Sequence, residues 1–376
     1  DESEALRFAN RVAELEPEAN DIYLLRAELY LELETVDKAK DELHRALKIK
    51  DDQPEVHRLL GSIYYREGSY TRVLFHLNRL PISFASSPSY CMELGCSYLT
   101  LGHKEKAREW LEMAHRLEHS SIATLTALAE LELDEGETSR ALGYSRELLA
   151  IDENHPDALR LCGFALADRS ADEEAEEYLR KALVAAPANE AVRERLALVR
   201  FRLGRYNETL ELYPELNLIP TTDPKLRLLK AQCYLEQGNK ERADEVVEEA
   251  LAECPFDTDA LALQASVCQA KEDFLGAEAA LNRAIKTNPT AAELFCQRGE
   301  VLLQRRCLDR SRLDLLAALE RCPGDAKVYR LLGEVEIEAG RLKQALQHLD
   351  KAVSLRPAWA EVHSLRARIY EELGDE

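Results

Sequence analysis

Residues 54–87 read PEVHRLLGSIYYREGSYTRVLFHLNRLPISFASS, and residues 88–102 begin the same phrase again as PSYCMELGCSYLTLG. Leu60-Gly61 and Tyr64 of the first return as Leu94-Gly95 and Tyr98 of the second, thirty-four residues on. The period runs the length of the chain. Ala27, Gly61, Gly95, Ala129, Gly163, Ala197, Ala231, Ala265, Gly299, Gly333 and Ala367 fall on one register with no insertion or deletion. A residue kept tiny at a fixed period marks a place where two helices touch with no room for a side chain, and self-similarity at such a period sets the architecture. Two alanine ladders run beside it: Ala5, Ala39, Ala107, Ala141, Ala175, Ala243, Ala277 and Ala345, then Ala46, Ala114, Ala182, Ala250, Ala284, Ala318 and Ala352. A proline ladder joins Pro17, Pro187, Pro255, Pro289, Pro323 and Pro357.

The units start at Asn20, Pro54, Pro88, Ile122, Pro156, Glu190, Pro224, Thr258, Ala292 and Ala326. A half unit (1–19) precedes the ten full ones (20–359) and another (360–376) follows them. Each unit spaces its apolar residues three and four apart, twice over, which predicts two amphipathic helices. Gly68, Gly102, Gly136, Gly204, Gly238 and Gly340 mark the turn between them. A glycine there accepts the left-handed conformation that ends a helix. The recurring proline closes the second helix, because it cannot continue a helix interior.

These features resemble the tetratricopeptide repeat. Leu60-Gly61-x-x-Tyr64, Leu94-Gly95-x-x-Tyr98 and Leu332-Gly333 carry the likeness, with the alanine ladders and the unit-ending prolines, over essentially the whole chain. The resemblance implies an all-α fold, a right-handed α-α superhelix of about 22 antiparallel helices whose concave face is lined by the first helix of each unit. The expectation is therefore one solenoid domain over 1–376. Units of this kind bury their apolar faces only against neighbours, so the chain escapes the usual division of long sequences into separate cores. The first half unit supplies only a second helix and the last only a first, and the chain starts with Asp1, which together read as a fragment of a longer protein.

Two units carry extra prolines. Pro81 comes early in the unit from Pro54, and Pro214 and Pro220 interrupt the unit from Glu190, so both second helices are expected to end early or kink. Nine cysteines show neither a CxxC pair nor zinc spacing. That pattern fits a reducing, cytoplasmic compartment. No apolar run is long enough to span a membrane. His115 and His119 are four apart, one ingredient of a metal site, but spacing fixes no carboxylate or thiol beside them. The sequon Asn207-Glu208-Thr209 falls at a helix start.

No catalytic motif stands out: neither a phosphate loop after a strand nor HExxH occurs, and the reading is a non-enzyme without cofactor or metal. The net charge of −21 argues against nucleic acid, whose phosphates need clustered Lys and Arg. Two first-helix positions are projected onto the groove. One gives Leu25, Leu59, Glu93, Ala127, Leu161, Arg195, Leu229, Leu263, Gln297, Leu331 and Leu365. The other includes Phe164 and Leu198. The leucines read either as packing between adjacent first helices or as an apolar stripe for a partner. The carboxylate clamp of related peptide-binding arrays and the asparagine ladder of O-GlcNAc transferases are both missing here.

One helix stands apart from the acidic background. Residues 190–205 read EAVRERLALVRFRLGR, with Arg195 and Arg202 seven apart on one face. Arg160 and Lys225 on the flanking first helices and the aromatics Phe164 and Phe201 join them, and with Leu161, Leu229 and Leu263 make the candidate partner-binding set. Guanidinium forks suit carboxylates and rings offer anchors, so the expected partner is an acidic-aromatic peptide segment. The bland alternative pairs these arginines with acids such as Glu173, Glu174 and Glu194. The function read here is a non-catalytic protein-interaction scaffold. The alternatives are the targeting region of a larger enzyme or secretion machine, and a self-associating module whose ends stack through Ile22, Tyr23 and Leu24 or Val362, Ile369 and Tyr370.

Overall fold

The computed structural model describes residues 2–16, 18–212 and 224–374. Among them are twenty-two α-helices, one short 3-10 helix and no strand. Each of the ten unit starts read from the sequence is the first residue of a helix, as is Ala360. Pro17, Pro214 and Pro220, and the side chain of Lys225, lie outside the described residues. Contacts cluster into two compact units, Asp1–Val199 and Arg200–Glu376.

The first unit opens with α1 (Glu2–Leu15) and continues through α2 (Asn20–Glu32), α3 (Val36–Ile49), α4 (Pro54–Arg66) and α5 (Tyr70–Leu77). After the 3-10 turn Ile82–Ser86 come α6 (Pro88–Thr100), α7 (Lys104–Leu117), α8 (Ile122–Asp134), α9 (Thr138–Ile151), α10 (Pro156–Asp168), α11 (Asp172–Ala185) and the start of α12 (Glu190–Arg202). First helices run thirteen residues and complete second helices fourteen. α5 stops after eight, and Pro81 follows four residues later, as the early proline predicted.

The second unit holds the end of α12, α13 (Tyr206–Glu211), α14 (Pro224–Glu236), α15 (Lys240–Glu253), α16 (Thr258–Ala270) and α17 (Phe274–Thr287). It ends with α18 (Ala292–Gln304), α19 (Leu308–Arg321), α20 (Ala326–Glu338), α21 (Leu342–Leu355) and α22 (Ala360–Leu373).

The small-residue register works as a socket. A Cβ built on Gly61 would sit 2.2 Å from Leu77 Cδ2, and one on Gly163 would sit 2.6 Å from Leu179 Cδ2. Gly95 meets Leu111, Gly299 meets Leu315 and Gly333 meets Leu349 in the same way. In these five repeats the second helix thus drops a leucine onto the bare backbone of its own first helix. Overfilling a packed contact of this kind costs about 1–3 kcal/mol. The alanine ladders are buried from Ala39 and Ala46 onward; Ala5 on α1 is exposed.

Successive first helices also touch one another: α4–α6, α6–α8 and α8–α10 in the first unit, α14–α16, α18–α20 and α20–α22 in the second. Within each unit these contacts set first helix beside first helix and build a wall from them. Tyr23, Val362 and Ile369 are buried in repeat packing. This removes them from the surface expected for end-to-end stacking; Ile22 and Leu24 are half-buried and Tyr370 is exposed.

Candidate functional site

In the first unit the wall carries a cluster around Phe164. The Arg160 guanidinium lies 5.8 Å from the Phe164 ring centroid and that of Arg195 lies 4.9 Å from it. Both distances are within cation–π reach. Arg160 Nη2 bridges Glu130 Oε1 at 2.7 Å on α8 and Asp157 Oδ1 at 3.1 Å on its own helix. Arg195 Nη1 pairs with Asp168 at the end of α10. Three first helices, α8, α10 and α12, are thereby laced together by two arginines across one ring. The Arg195 side chain is 30% exposed and that of Arg160 18%, so both forks meet solvent while held in place. Leu198, next along α12, is exposed.

The pairing partners differ from those weighed on the sequence. Asp168 takes Arg195 in place of Glu173 or Glu174, because the acid at the end of one first helix faces the next first helix. Arg193 donates to the Pro187 carbonyl at 2.8 Å. Leu161, buried completely, belongs to the interhelical packing of the first unit. Leu229 and Leu263 are likewise buried in the second. For these three and Leu331, the packing reading of the leucine register holds in place of the open stripe: the neighbouring helix covers the side chain. Phe201, half-buried, lies tilted against the Tyr206 ring with centroids 5.5 Å apart in the second unit, and Arg202 there is exposed.

Further along each wall, charges are also paired between first helices. Ser62 Oγ donates to Glu93 Oε2 at 3.0 Å, and burial pushes the Glu93 carboxyl up despite that bond. In the second unit Lys327 Nζ meets Glu300 Oε2 at 2.9 Å, Arg330 joins Glu334 and Glu361, and burial raises the Glu334 carboxyl. The Ser62–Glu93, Glu300–Lys327 and Arg330–Glu361 contacts escaped the sequence reading, although polar partners 27 or 31 residues apart on successive first helices are the signal that reveals them.

No group of three or more potential metal ligands occurs among the described residues. His115 and His119 lie edge to face at 5.1 Å, and His115 Nε2 is 3.4 Å from Glu147. All nine cysteines are free. Burial pushes the Cys162, Cys233 and Cys296 thiols up to about 11, while Cys254 and Cys322 are exposed. Asn207, the second residue of α13, accepts from Gln237 Nε2 at 2.8 Å. No helix among the described residues is long and apolar enough to cross a membrane.

Sequence profiles described as tetratricopeptide repeat match residues 1–63, 200–267 and 313–369, and others with the same description match 263–326 and 88–116. The chain is 24% identical over 187 residues to the human protein O-mannosyl-transferase TMTC1, covering 49% of this chain and 21% of that protein. It is 22% identical over 296 residues to TPR repeat-containing protein YpiA of Bacillus subtilis (strain 168), covering 69% of this chain and 70% of YpiA. The chain thus spans about a fifth of the transferase's length. In a solved structure, the crystal structure of the APC/C hetero-tetramer Cut9-Hcn1, one chain matches with a TM-score of 0.54 and 15% identity, over 93% of this chain and 76% of that one. Likeness at that identity establishes a shared α-solenoid fold.

Proposed function

The chain belongs to the tetratricopeptide repeat family, and we propose that it works as a non-catalytic scaffold that takes an acidic-aromatic peptide segment on the first-helix wall around Phe164. The observation that carries this reading is the pair of partly exposed guanidinium groups, Arg160 and Arg195, fixed on one aromatic ring. Each engages its acids through part of a five-donor fork. An incoming carboxylate shares or displaces those exposed partners at modest cost, since such ion pairs contribute roughly 0–1 kcal/mol each. Phe164 gives an aromatic residue of the partner a face to pack on. A wall preformed by helix packing avoids ordering cost on the receptor side. Arg202, Phe201 and Lys225 remain candidates in the second unit. The nine free cysteines support a reducing, cytoplasmic setting.

The test is affinity capture from a native lysate, with wild type beside Arg195→Glu/Arg202→Glu and circular dichroism to show that both fold. A partner held by wild type and lost by the variant supports the site. A partner held equally by both overturns the site and leaves the scaffold. The absence of any partner counts against the scaffold itself. The likeness to TMTC1 favours a second reading, in which these repeats are the targeting region of a larger glycosyl-transferring protein. A full-length transcript encoding a transferase domain in frame decides for it.

A further inference from the structure

Three histidines and a tyrosine meet where α3, α4 and α5 pack, apart from the wall around Phe164. His57 and His76 are buried, with their Nδ1 atoms 2.9 Å apart. His57 Nε2 lies 3.0 Å from the Asp51 carbonyl oxygen. A carbonyl only accepts, so Nε2 of His57 carries a hydrogen, and Nδ1 of the neutral ring is then a bare acceptor. The hydrogen between the two rings therefore belongs to His76, which donates Nδ1–H to His57. One shared proton closes the contact. A second either lands on Nδ1 of His57 and sets two N–H groups face to face, or lands on the free Nε2 of His76 and leaves a positive charge in a buried pair.

The surroundings offer that charge little relief. Tyr64 of α4 stacks on His76 with centroids 5.5 Å apart, and its hydroxyl is 3.0 Å from His44 Nε2 on α3. Burial, then His57, His44, Arg79 and Arg72, push the His76 imidazole down to about 4. On α3, burial also lowers His44, with Arg72, Lys40 and Lys48 acting the same way and Asp41 against them. α6 presents hydroxyls: Tyr90 donates to the Leu77 carbonyl and Tyr98 to Asn78 Oδ1, both at 3.2 Å. α5 is eight residues long where α3 and α7 have fourteen, so it has less packing to keep it in place.

We propose that the His57–His76 contact is an acid-sensitive clasp between α4 and α5, closed at neutral pH by one shared proton and opened by a second, so that the repeat Pro54–Ser87 loosens while the other repeats of the unit stay packed. The sign follows from linkage. The opened segment takes up the proton at the ordinary 6.5 and the closed one only near 4. The clasp is thus intact above 6.5 and weakens as pH falls toward 4, with the opening equilibrium growing about tenfold per pH unit in that window.

Hydrogen exchange read by mass spectrometry, corrected for intrinsic rates, tests this on the whole chain. Between about pH 6.5 and pH 4.5, opening over α4 and α5 is expected to grow roughly fortyfold, and over α8–α11 far less. His76→Asn keeps a donor near the Nδ1 position but does not titrate, and its α4–α5 exchange is expected to change less than about threefold over that range. An equal response in wild type and variant, or the same rise in every repeat, overturns the clasp. If the variant does not fold, imidazole nitrogen shifts of the wild type decide. An ordinary midpoint near 6.5 for His76 rejects the proposal, whereas a midpoint below about 5 with the hydrogen of His57 on Nε2 supports it.

Discussion

Eleven residues spaced thirty-four apart, from Glu34 to Gly374, hold positive φ between 55° and 80°. At each a first helix has ended, and at all but Gly374 the chain then turns back into a second helix. Seven are glycine, but Glu34, Ser170, Glu272 and Arg306 are not. A Cβ added at Gly68, Gly102, Gly136, Gly204, Gly238 or Gly340 meets nothing within 4 Å. Conformation, not space, therefore selects glycine at this turn, and the four exceptions carry a backbone cost of roughly 1 kcal/mol each. Glu272→Gly is expected to stabilise the second unit by about 0.5–1 kcal/mol, and Gly238→Ala to destabilise it by a similar amount. Urea unfolding followed by circular dichroism measures both, and a Glu272→Gly chain less stable than wild type contradicts the argument. Six of these turns are legible as glycines in the sequence. The four exceptions were hidden because their side chains say nothing of φ, although their register alone places them. The leucines projected onto the groove stayed open between packing and a partner-facing stripe for a related reason. Periodicity gives the face that Leu161 and Leu198 share, but not how closely the next helix approaches it, and one is buried while the other is exposed.

Between elements, a charged joint replaces an aromatic one at two places. Tyr30, Tyr64, Tyr98, Tyr234 and Tyr370 stand on one register near the end of first helices, and Glu132 and Glu336 occupy the same register on α8 and α20. Both carboxylates are fully buried. Glu132 accepts from Arg108 Nε at 2.9 Å and faces Arg140 Nη1 at 3.2 Å. Glu336 meets Arg312 Nε at 3.0 Å and also Arg341. Arg108 and Arg312 hold equivalent positions on α7 and α19, so in each case the second helix of one repeat reaches forward to pin the first helix of the next. Removing Arg108 takes the two-pronged partner from a buried carboxylate and leaves it Arg140 alone. Arg108→Ala is therefore expected to cost about 3 kcal/mol and to speed hydrogen exchange across α7 and α8. Adding Glu132→Tyr, which restores the register's aromatic residue, is expected to recover most of that loss. An Arg108→Ala chain as stable as wild type shows the pair to be idle. The helix starts and the turn positions followed from the period alone, whereas this substitution of one joint chemistry for another shows only when facing helices are seen together.

For the whole molecule, the proposed ligand and the net charge pull in opposite directions. The chain carries −21 with a pI near 5.0, while the cluster at Phe164 offers two cationic forks. An acidic segment is repelled at long range and attracted only on contact. Added salt shortens the range of the repulsion, with a Debye length of about 8 Å at physiological ionic strength, and also weakens the contact itself. Both the association and the dissociation rate are then expected to rise with salt. Electrostatically complementary partners behave differently, because their association slows as salt is added. Stopped-flow anisotropy with a labelled peptide of alternating glutamate and phenylalanine reads this directly. Between about 0.02 M and 0.3 M salt, its association rate is expected to increase several-fold, while that of a lysine-containing counterpart falls. If the acidic peptide instead binds more slowly as salt is added, the field at the wall is positive on the scale of the approach. If only the basic peptide binds, recognition passes from Arg160 and Arg195 to the acids beside them, Glu130 and Asp157 first, and the partner's charge must be reversed.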